Sequence, residues 1–269
     1  MKRHYSITIF TVSLILLMGQ HTPAKAFFKG VSFFAKSKEE VVSLTEKVPA
    51  DCKISIANIR GDITIKTWKT NKVVIEARKK GSEDSLLNTN IKKSFAKNHL
   101  SIETAFKASN TKCSVHYHVL IPESARLQAV KTEQGKISIT NVQNGIMAKT
   151  GRGAIVMKDV SGPIKTSTTS GAITIQAKDI IPDSKILAMS GKGNITVTFP
   201  SKTDTRVHLR TNRGQVKSDH IITTESRTMK YNSKTLAQLK KEAKGTIGRG
   251  GNSSIKLHTG SGNVVLVQS

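Results

Sequence analysis

A short phrase recurs along this chain: an apolar strand, a Ser or Thr, two further residues, a glycine and a second apolar strand. Its copies are centred on Gly61, Gly135, Gly153, Gly171, Gly193, Gly214 and Gly262. The positions seven and five residues before the glycine, and two and four after it, are apolar everywhere except at Gln128, Thr166 and Ser218. Alternation with a period of two indicates half-buried β-strands, and self-similarity at about 20 residues indicates stacked repeats.

Two all-β architectures share this pattern. In the first, the residues before the glycine form the loop of a tight hairpin, and the fold is an antiparallel β meander or sandwich. In the second, they form the corner of a β-solenoid. Tight hairpins need Gly or Asn-Gly at their two central positions, and neither Glu133-Gln134 nor Thr169-Ser170 fits that requirement. The 18-residue steps from Gly135 to Gly153 and from Gly153 to Gly171 also favour rungs of constant length. We therefore predict a β-solenoid with rungs of about 18–22 residues.

The position three residues before the glycine carries a second signal. It holds Thr132, Thr150, Thr168, Ser190, Thr211 and Thr259, with Asn58 as the exception. A hydroxyl at the end of a strand can hydrogen-bond the backbone of a turn, and glycine adopts a positive φ at little cost. We expect this pair of residues to form each corner.

The first residues read as a secretory signal peptide. Lys2 and Arg3 precede an apolar run from Ile7 to Met18, and Ala24-Lys25-Ala26 provides a cleavage site. The run is too short for a spanning helix, and no other stretch has that length. We therefore expect an exported protein, in the periplasm, on the cell surface or outside the cell, with no transmembrane segment after cleavage.

The remaining chain is expected to form one elongated β-repeat domain. The predicted divisions are a signal peptide (1–26), a leader segment (27–48) and the domain itself (49–269), which comprises an irregular part (73–120), regular rungs (121–222), an insert (223–245) and a terminal rung (246–269). A short basic helix is expected over 234–244. The Phe-rich segment 27–34 is either an interfacial anchor or a lid that packs on the first rung.

Three features together resemble the toastrack family of bacterial domains of unknown function. They are Val119-Leu120-Ile121-Pro122 before the regular rungs, the serial S/T-x-x-G-x-I-x-I phrases, and the tail from Gly245-Thr246-Ile247-Gly248 through Gly262 to Leu266. The likeness covers about residues 45 to 269. It implies an exported, repetitive all-β domain for which a role in adhesion has been suggested, and it brings no catalytic residues. The strong basicity and the insert after Thr223 depart from the family pattern.

The residues offer little support for catalysis. Polysaccharide-active β-helix enzymes need carboxylates that converge on one face, whereas Asp159 and Asp179 occupy different positions in their rungs. His116 and His118 lie on one face of a strand, but no third metal ligand is apparent. We expect no catalytic residues, no metal site and no cofactor, and we keep a polysaccharide-active enzyme as the second alternative function.

Positive charge is the most informative functional feature, since the formal net charge is +25. Arg60, Arg152, Lys192 and Arg213 immediately precede a repeat glycine, and Lys131, Lys149, Lys165, Arg210 and Lys256 fall on the outward phase of the first strand. Equivalent positions stack at about 4.8 Å in a solenoid, so a positive ridge is expected, formed by Arg60, Arg152, Lys192, Arg213, Lys131, Lys149 and Arg210.

Two interpretations of this ridge remain. It either binds an anionic polymer, such as an acidic polysaccharide or lipopolysaccharide at the envelope, or is a solvated surface that keeps the protein in solution. Nucleic acid is a poor partner for an exported protein. The primary functional hypothesis is a non-enzymatic adhesin, surface or scaffold module, and its first alternative is a binding protein for anionic envelope polymers.

Cys52 and Cys113 are the two cysteines of the chain. Export makes a disulfide between them feasible, and closing a loop of about 60 residues would stabilise the fold by roughly 4 kcal/mol. Two buried free thiols are the other interpretation, because spacing in the sequence does not show that the Cα atoms come within bridging distance.

Overall fold

The structure is a computed structural model that describes residues 37–224 and 241–269. The strands are β1 (Lys38–Lys47), β2 (Lys53–Arg60), β3 (Ile63–Trp68), β4 (Lys72–Gly81), β5 (Thr89–Ala96), β6 (His99–Phe106), β7 (Ser114–Pro122), β8 (Arg126–Gln134), β9 (Ile137–Thr140), β10 (Ile146–Arg152), β11 (Ile155–Val160), β12 (Ile164–Ser170), β13 (Ile173–Ala177), β14 (Lys185–Lys192), β15 (Ile195–Phe199), β16 (Thr205–Arg213), β17 (Val216–Ser218), β18 (Glu242–Ile247), β19 (Ser254–Ser261) and β20 (Val264–Gln268). One short helix, α1 (Glu83–Leu87), begins after Ser82, whose hydroxyl accepts a hydrogen bond from the Ser85 amide. Among the described residues no helix has the length and apolar character needed to cross a bilayer.

Each copy of the repeat divides its two strands between two sheets. Sheet A has the strand order β1-β4-β7-β3-β9-β11-β13-β15-β20-β17, and sheet B the order β18-β16-β19-β14-β12-β10-β8-β2-β6-β5. The strand before the glycine lies in sheet B, the strand after it lies in sheet A, and each pairs in parallel with its equivalent in the next rung. This arrangement confirms the predicted β-solenoid; the strands on either side of a corner are not the partners that a meander would require.

The aliphatic positions of the repeat meet between the two sheets. Ile155 aligns with Ile137 on one side and with Ile173 on the other. All three side chains are fully buried, and burying a side chain of this size contributes about 1.5–3 kcal/mol. The predicted stack of isoleucines is therefore the core of the molecule.

The order of rungs in the stack differs from their order in the chain. β19 pairs with both β14 and β16, and β20 lies between β15 and β17. The rung centred on Gly262, which was expected to be terminal, therefore lies between the rungs of Gly193 and Gly214. At the other end β6 and β7, from the part without the glycine phrase, form a further rung beside β2 and β3.

Antiparallel strands lie at three of the four sheet edges, and the fourth edge is the parallel strand β17. β4 and β1 extend sheet A beyond β7, β5 covers β6, and β18 covers β16. Unpaired edges invite association between sheets, and the outermost strands β1 and β5 carry several charged side chains.

Parts of two predictions fall outside the described residues. These are the signal peptide with the Phe-rich segment, and most of the basic helix expected over 234–244. The end of that helix prediction is wrong, because Glu242 starts β18 and pairs with Arg210 of β16. Helix propensity is a weak preference, and tertiary contacts such as pairing with a neighbouring strand override it.

Candidate functional site

Each corner is formed by a glycine packed against the glycine of the adjacent rung. At Gly153, φ is 146°, and a Cβ atom would lie 2.0 Å from the carbonyl oxygen of Gly135. A side chain is therefore excluded both by the backbone conformation and by the neighbouring rung. The predicted turn glycines all have positive φ in the structure.

The hydroxyl three residues before each glycine bonds to the adjacent rung. In every case it donates to the carbonyl oxygen of that rung's glycine: Thr132 to Gly61 at 3.2 Å, Thr150 to Gly135 at 3.0 Å, Thr168 to Gly153 at 3.1 Å, Ser190 to Gly171 at 3.0 Å, Thr259 to Gly193 at 2.8 Å and Thr211 to Gly262 at 2.7 Å. These bonds tie consecutive rungs together along the corner, which places the residue before each glycine in a fixed row.

Asn58, the exception to the hydroxyl rule, lies where a rung without glycine joins the stack. Its Nδ2 donates to the carbonyl oxygens of Gly61 at 3.0 Å and Val115 at 2.7 Å, so it makes two bonds where a hydroxyl makes one. Its Oδ1 accepts from the Thr104 hydroxyl at 3.0 Å, and the Tyr117 hydroxyl is 2.7 Å from that of Thr104. Burial raises the pKa of Tyr117 to about 12.

The residues immediately before the glycines form what we call the corner row. Strand pairing gives their order along the stack as Arg60, Gln134, Arg152, Ser170, Lys192, Ser261 and Arg213. A basic residue alternates with a neutral one throughout. Successive cations are therefore two strand spacings apart, about 9.6 Å.

This alternation corrects the expectation that like charges would stack on adjacent strands. Lys192 and Arg213 belong to consecutive copies in the sequence, but the inserted rung places Ser261 between them. Spacing the cations in this way reduces their mutual repulsion without removing any of them. The four basic members of the row are recognisable in the sequence, whereas its three neutral members are not, because their position between the cations depends on the stacking order.

The other predicted ridge residues lie on the outer face of sheet B, away from the corner row. Lys131 and Lys149 are direct neighbours on β8 and β10. Arg210 is separated from them by Ser167, Met189 and His258 in the same register and lies opposite Glu242 of β18. The structure therefore divides the predicted ridge into two sets.

Acidic residues pair elsewhere in the molecule. Ion pairs among the described residues include Lys38 with Glu83 at 2.6 Å, Lys79 with Glu40 at 2.8 Å and Arg249 with Asp204 at 3.0 Å. None of the ion pairs within residues 37–224 and 241–269 includes a cation of the corner row. The four cations of the corner row therefore have no acidic partner among the described residues.

Both cysteines are buried and free in the structure. The Cys52 thiol is 3.5 Å from the carbonyl oxygen of Lys53, and that of Cys113 is 3.6 Å from the carbonyl oxygen of Ser114. Burial raises the pKa of Cys52.

Of the residues considered for catalysis, Asp159 lies on β11, whereas His116 and His118 lie on β7. Asp159 has a φ of 52° and Asn141 one of 62°, so both occupy the same left-handed turn position in their rungs. The Nδ1 atom of His116 lies 3.8 Å from the Oδ2 atom of Asp62. Within the part of the chain that the structure describes, no group of three or more His, Cys, Asp or Glu side chains could hold a metal ion.

Comparison with known families identifies the repeat. The profile of the family Toastrack DUF4097 matches residues 15–266. The chain belongs to this family. A solved structure described as a "putative cell adhesion protein" from Clostridium sporogenes has the same fold, with a TM-score of 0.50, 12% identity, and coverage of 87% of this chain and 100% of that one. A "putative adhesin" from Bacteroides fragilis aligns with a TM-score of 0.42 and 14% identity over 85% of this chain and 97% of that one.

No curated protein matches this sequence significantly. Membership of the Toastrack family therefore establishes the fold, and function has to be argued from the surface of this chain.

Proposed function

We propose that this Toastrack protein is an exported, non-enzymatic adhesion module that holds an acidic polysaccharide of the cell envelope along its corner row. The observation that carries the proposal is the regular alternation of cations with small or neutral side chains, without acidic partners among the described residues. Export is inferred from the predicted signal peptide. The description of the Clostridium sporogenes structure as a "putative cell adhesion protein" supports a role in adhesion.

The spacing of the row favours a polymer over a small anion. Four cations at intervals of about 9.6 Å extend over roughly 29 Å, so a small anion reaches one of them at a time. An extended acidic glycan carries its charges at regular intervals along one direction and can engage all four. Each contact is individually weak at an exposed site, whereas contacts linked along one chain reinforce one another.

The test is retention on an acidic polysaccharide column, with heparin as the probe, over a gradient of NaCl. The combined variant Arg60→Ser, Arg152→Ser, Lys192→Ser and Arg213→Ser should elute at a markedly lower salt concentration, because fewer counterions are displaced on binding. A matched control removes the same charge from sheet A and its margin through Lys66→Ser, Lys158→Ser, Lys178→Ser and Lys217→Ser, all at exposed positions. The control should elute close to the wild type.

Equal loss of retention in the two variants would show that total charge, and not the row, controls binding. That outcome would favour the alternative interpretation, in which the basic surface keeps the protein in solution.

A further inference from the structure

A groove lies on the outer face of sheet B, at the end of the strands opposite the corner row. Its volume is about 580 Å³, which is within the range of small-molecule sites. Lys53 of the groove and Arg60 of the corner row are seven residues apart on β2, a separation of about 23 Å along an extended strand. The two features are therefore separate sites.

The groove exists because two adjacent rungs lack long side chains at one position. Leu127 donates its amide to the carbonyl of Gly145, and Ile146 donates to that of Pro163, so Gly145 and Pro163 occupy the same row. On the strands to either side, Arg126 and Lys185 occupy the equivalent positions. The missing side chains leave a gap between β8 and β14 that is about three strand spacings, or roughly 14 Å, wide.

Apolar side chains form the floor of the gap, and basic side chains form its rim. Met147 and Leu187 flank Lys165 in one register across β10, β12 and β14, and Pro163 adds a ring surface. Met147 is 42% exposed, although its side chain is apolar.

The rim is entirely basic in charge. Its ionic side chains are Lys53, Arg126, Lys185 and Lys256, and a fifth cation, Lys165, lies between Met147 and Leu187. No acidic side chain from the described residues lines the groove. None of these five cations is in an ion pair within that part of the chain. A groove that is lined by exposed apolar side chains and by unpaired cations is complementary to a molecule that is itself apolar in the body and anionic at the head.

We propose that this groove binds a phosphate-headed amphiphile of the phospholipid type as an individual molecule. Its acyl chain lies over Met147, Leu187 and Pro163, and its phosphate is held by the basic rim. This site is independent of the acidic-polysaccharide site at the corner row.

The test is calorimetric titration with dodecyl phosphate below its critical micelle concentration. Met147→Glu places a carboxylate in the floor of the groove and should weaken binding roughly tenfold or more, since like charges in contact are strongly unfavourable. Met189→Glu is the matched control, because Met189 is 46% exposed on the same outer face of sheet B and does not line the groove. It should bind like the wild type.

Further arms separate the two parts of the ligand. Inorganic phosphate and dodecyl maltoside, which represent the head and the tail alone, should each bind far more weakly than dodecyl phosphate. Lys185→Gln should weaken binding several-fold, and Lys149→Gln, outside the groove, should not. The corner-row variant with four serines should keep full affinity, so failure of the polysaccharide proposal leaves this one intact.

Three outcomes would overturn the proposal: no saturable binding to the wild type, equal weakening by Met147→Glu and Met189→Glu, or equal affinity for dodecyl phosphate and either partial probe.

Discussion

The hydroxyl of Thr150 donates a hydrogen bond to the carbonyl oxygen of Gly135, 3.0 Å away in the adjacent rung. Thr150 itself is fully buried. The same bond recurs from rung to rung, which makes the corner a connection between repeats as well as a turn within one.

Replacing Thr150 by Val keeps the shape of the side chain and removes the donor. We expect the free energy of unfolding to fall by about 1–3 kcal/mol, because the carbonyl oxygen of Gly135 loses the hydroxyl donor. Urea denaturation followed by circular dichroism measures the change. A variant as stable as the wild type would show that the bond is dispensable.

Thr166 provides the opposite case. Its side chain is buried and aligns with Ala148 and Ala188 on the neighbouring strands, and its Oγ1 has no hydrogen-bond partner among the described residues. Thr166→Val should therefore raise the free energy of unfolding by about 1 kcal/mol. Loss of stability in the same urea assay would mean that the hydroxyl is satisfied.

Filling a neutral position of the corner row should introduce repulsion. Ser261 lies between Lys192 and Arg213, and Ser261→Arg would place three cations on adjacent strands, at a cost of about 0.2–1 kcal/mol per pair. The loss in thermal stability should shrink as NaCl is raised, because salt screens exposed charges. Ser261→Gln is the control, and a salt-independent loss in the Arg variant would point to steric strain.

Tyr117 should make stability depend on alkaline pH. Its folded pKa is raised to about 12 from an ordinary value of 10, so the unfolded chain loses the phenolic proton first. The contribution to stability is complete below pH 10 and is lost as the pH rises toward 12. Absorbance at alkaline pH should show delayed ionisation of one tyrosine, which Tyr117→Phe removes; simultaneous ionisation of all tyrosines would contradict the burial of Tyr117.

The two thiols should be protected in the folded protein. The thiolate is the reactive form of cysteine, and burial both raises the pKa of Cys52 and blocks access to Cys52 and Cys113. Maleimide labelling read by mass spectrometry should be slow under native conditions and complete at both sites in denaturant without reductant. Failure to label in denaturant would demonstrate a disulfide.

Much of the fold can be predicted from the repeat, because equivalent positions in different copies have the same burial. Ile137, Ile155 and Ile173 were expected to stack, and they do. At Gln128, counting residues back from the glycine fails to identify the buried position. β8 has a bulge there, so Leu127 takes the buried place opposite Ile54 and Ile146, and a one-residue insertion of this kind leaves no gap in the pattern.

The arrangement of the surface was less predictable than the core. The sequence identifies which side chains point outward, but not which rungs are neighbours. Ser261 separates Lys192 from Arg213 only because a later rung pairs between two earlier ones. The groove was missed for a similar reason: Gly145 and Pro163 look like ordinary turn residues until their strands are placed side by side.

The inserted rung also limits how such a molecule can change in length during evolution. Between β8 and β15 the chain visits the rungs in the order in which they are stacked, so gain or loss of one repeat there leaves every other pairing intact. Duplication of β19 and β20 would instead have to insert a further rung between strands that already pair, and so would break existing pairings with β14 to β17. The central repeats are therefore the part of this protein in which natural variants can lengthen or shorten the corner row.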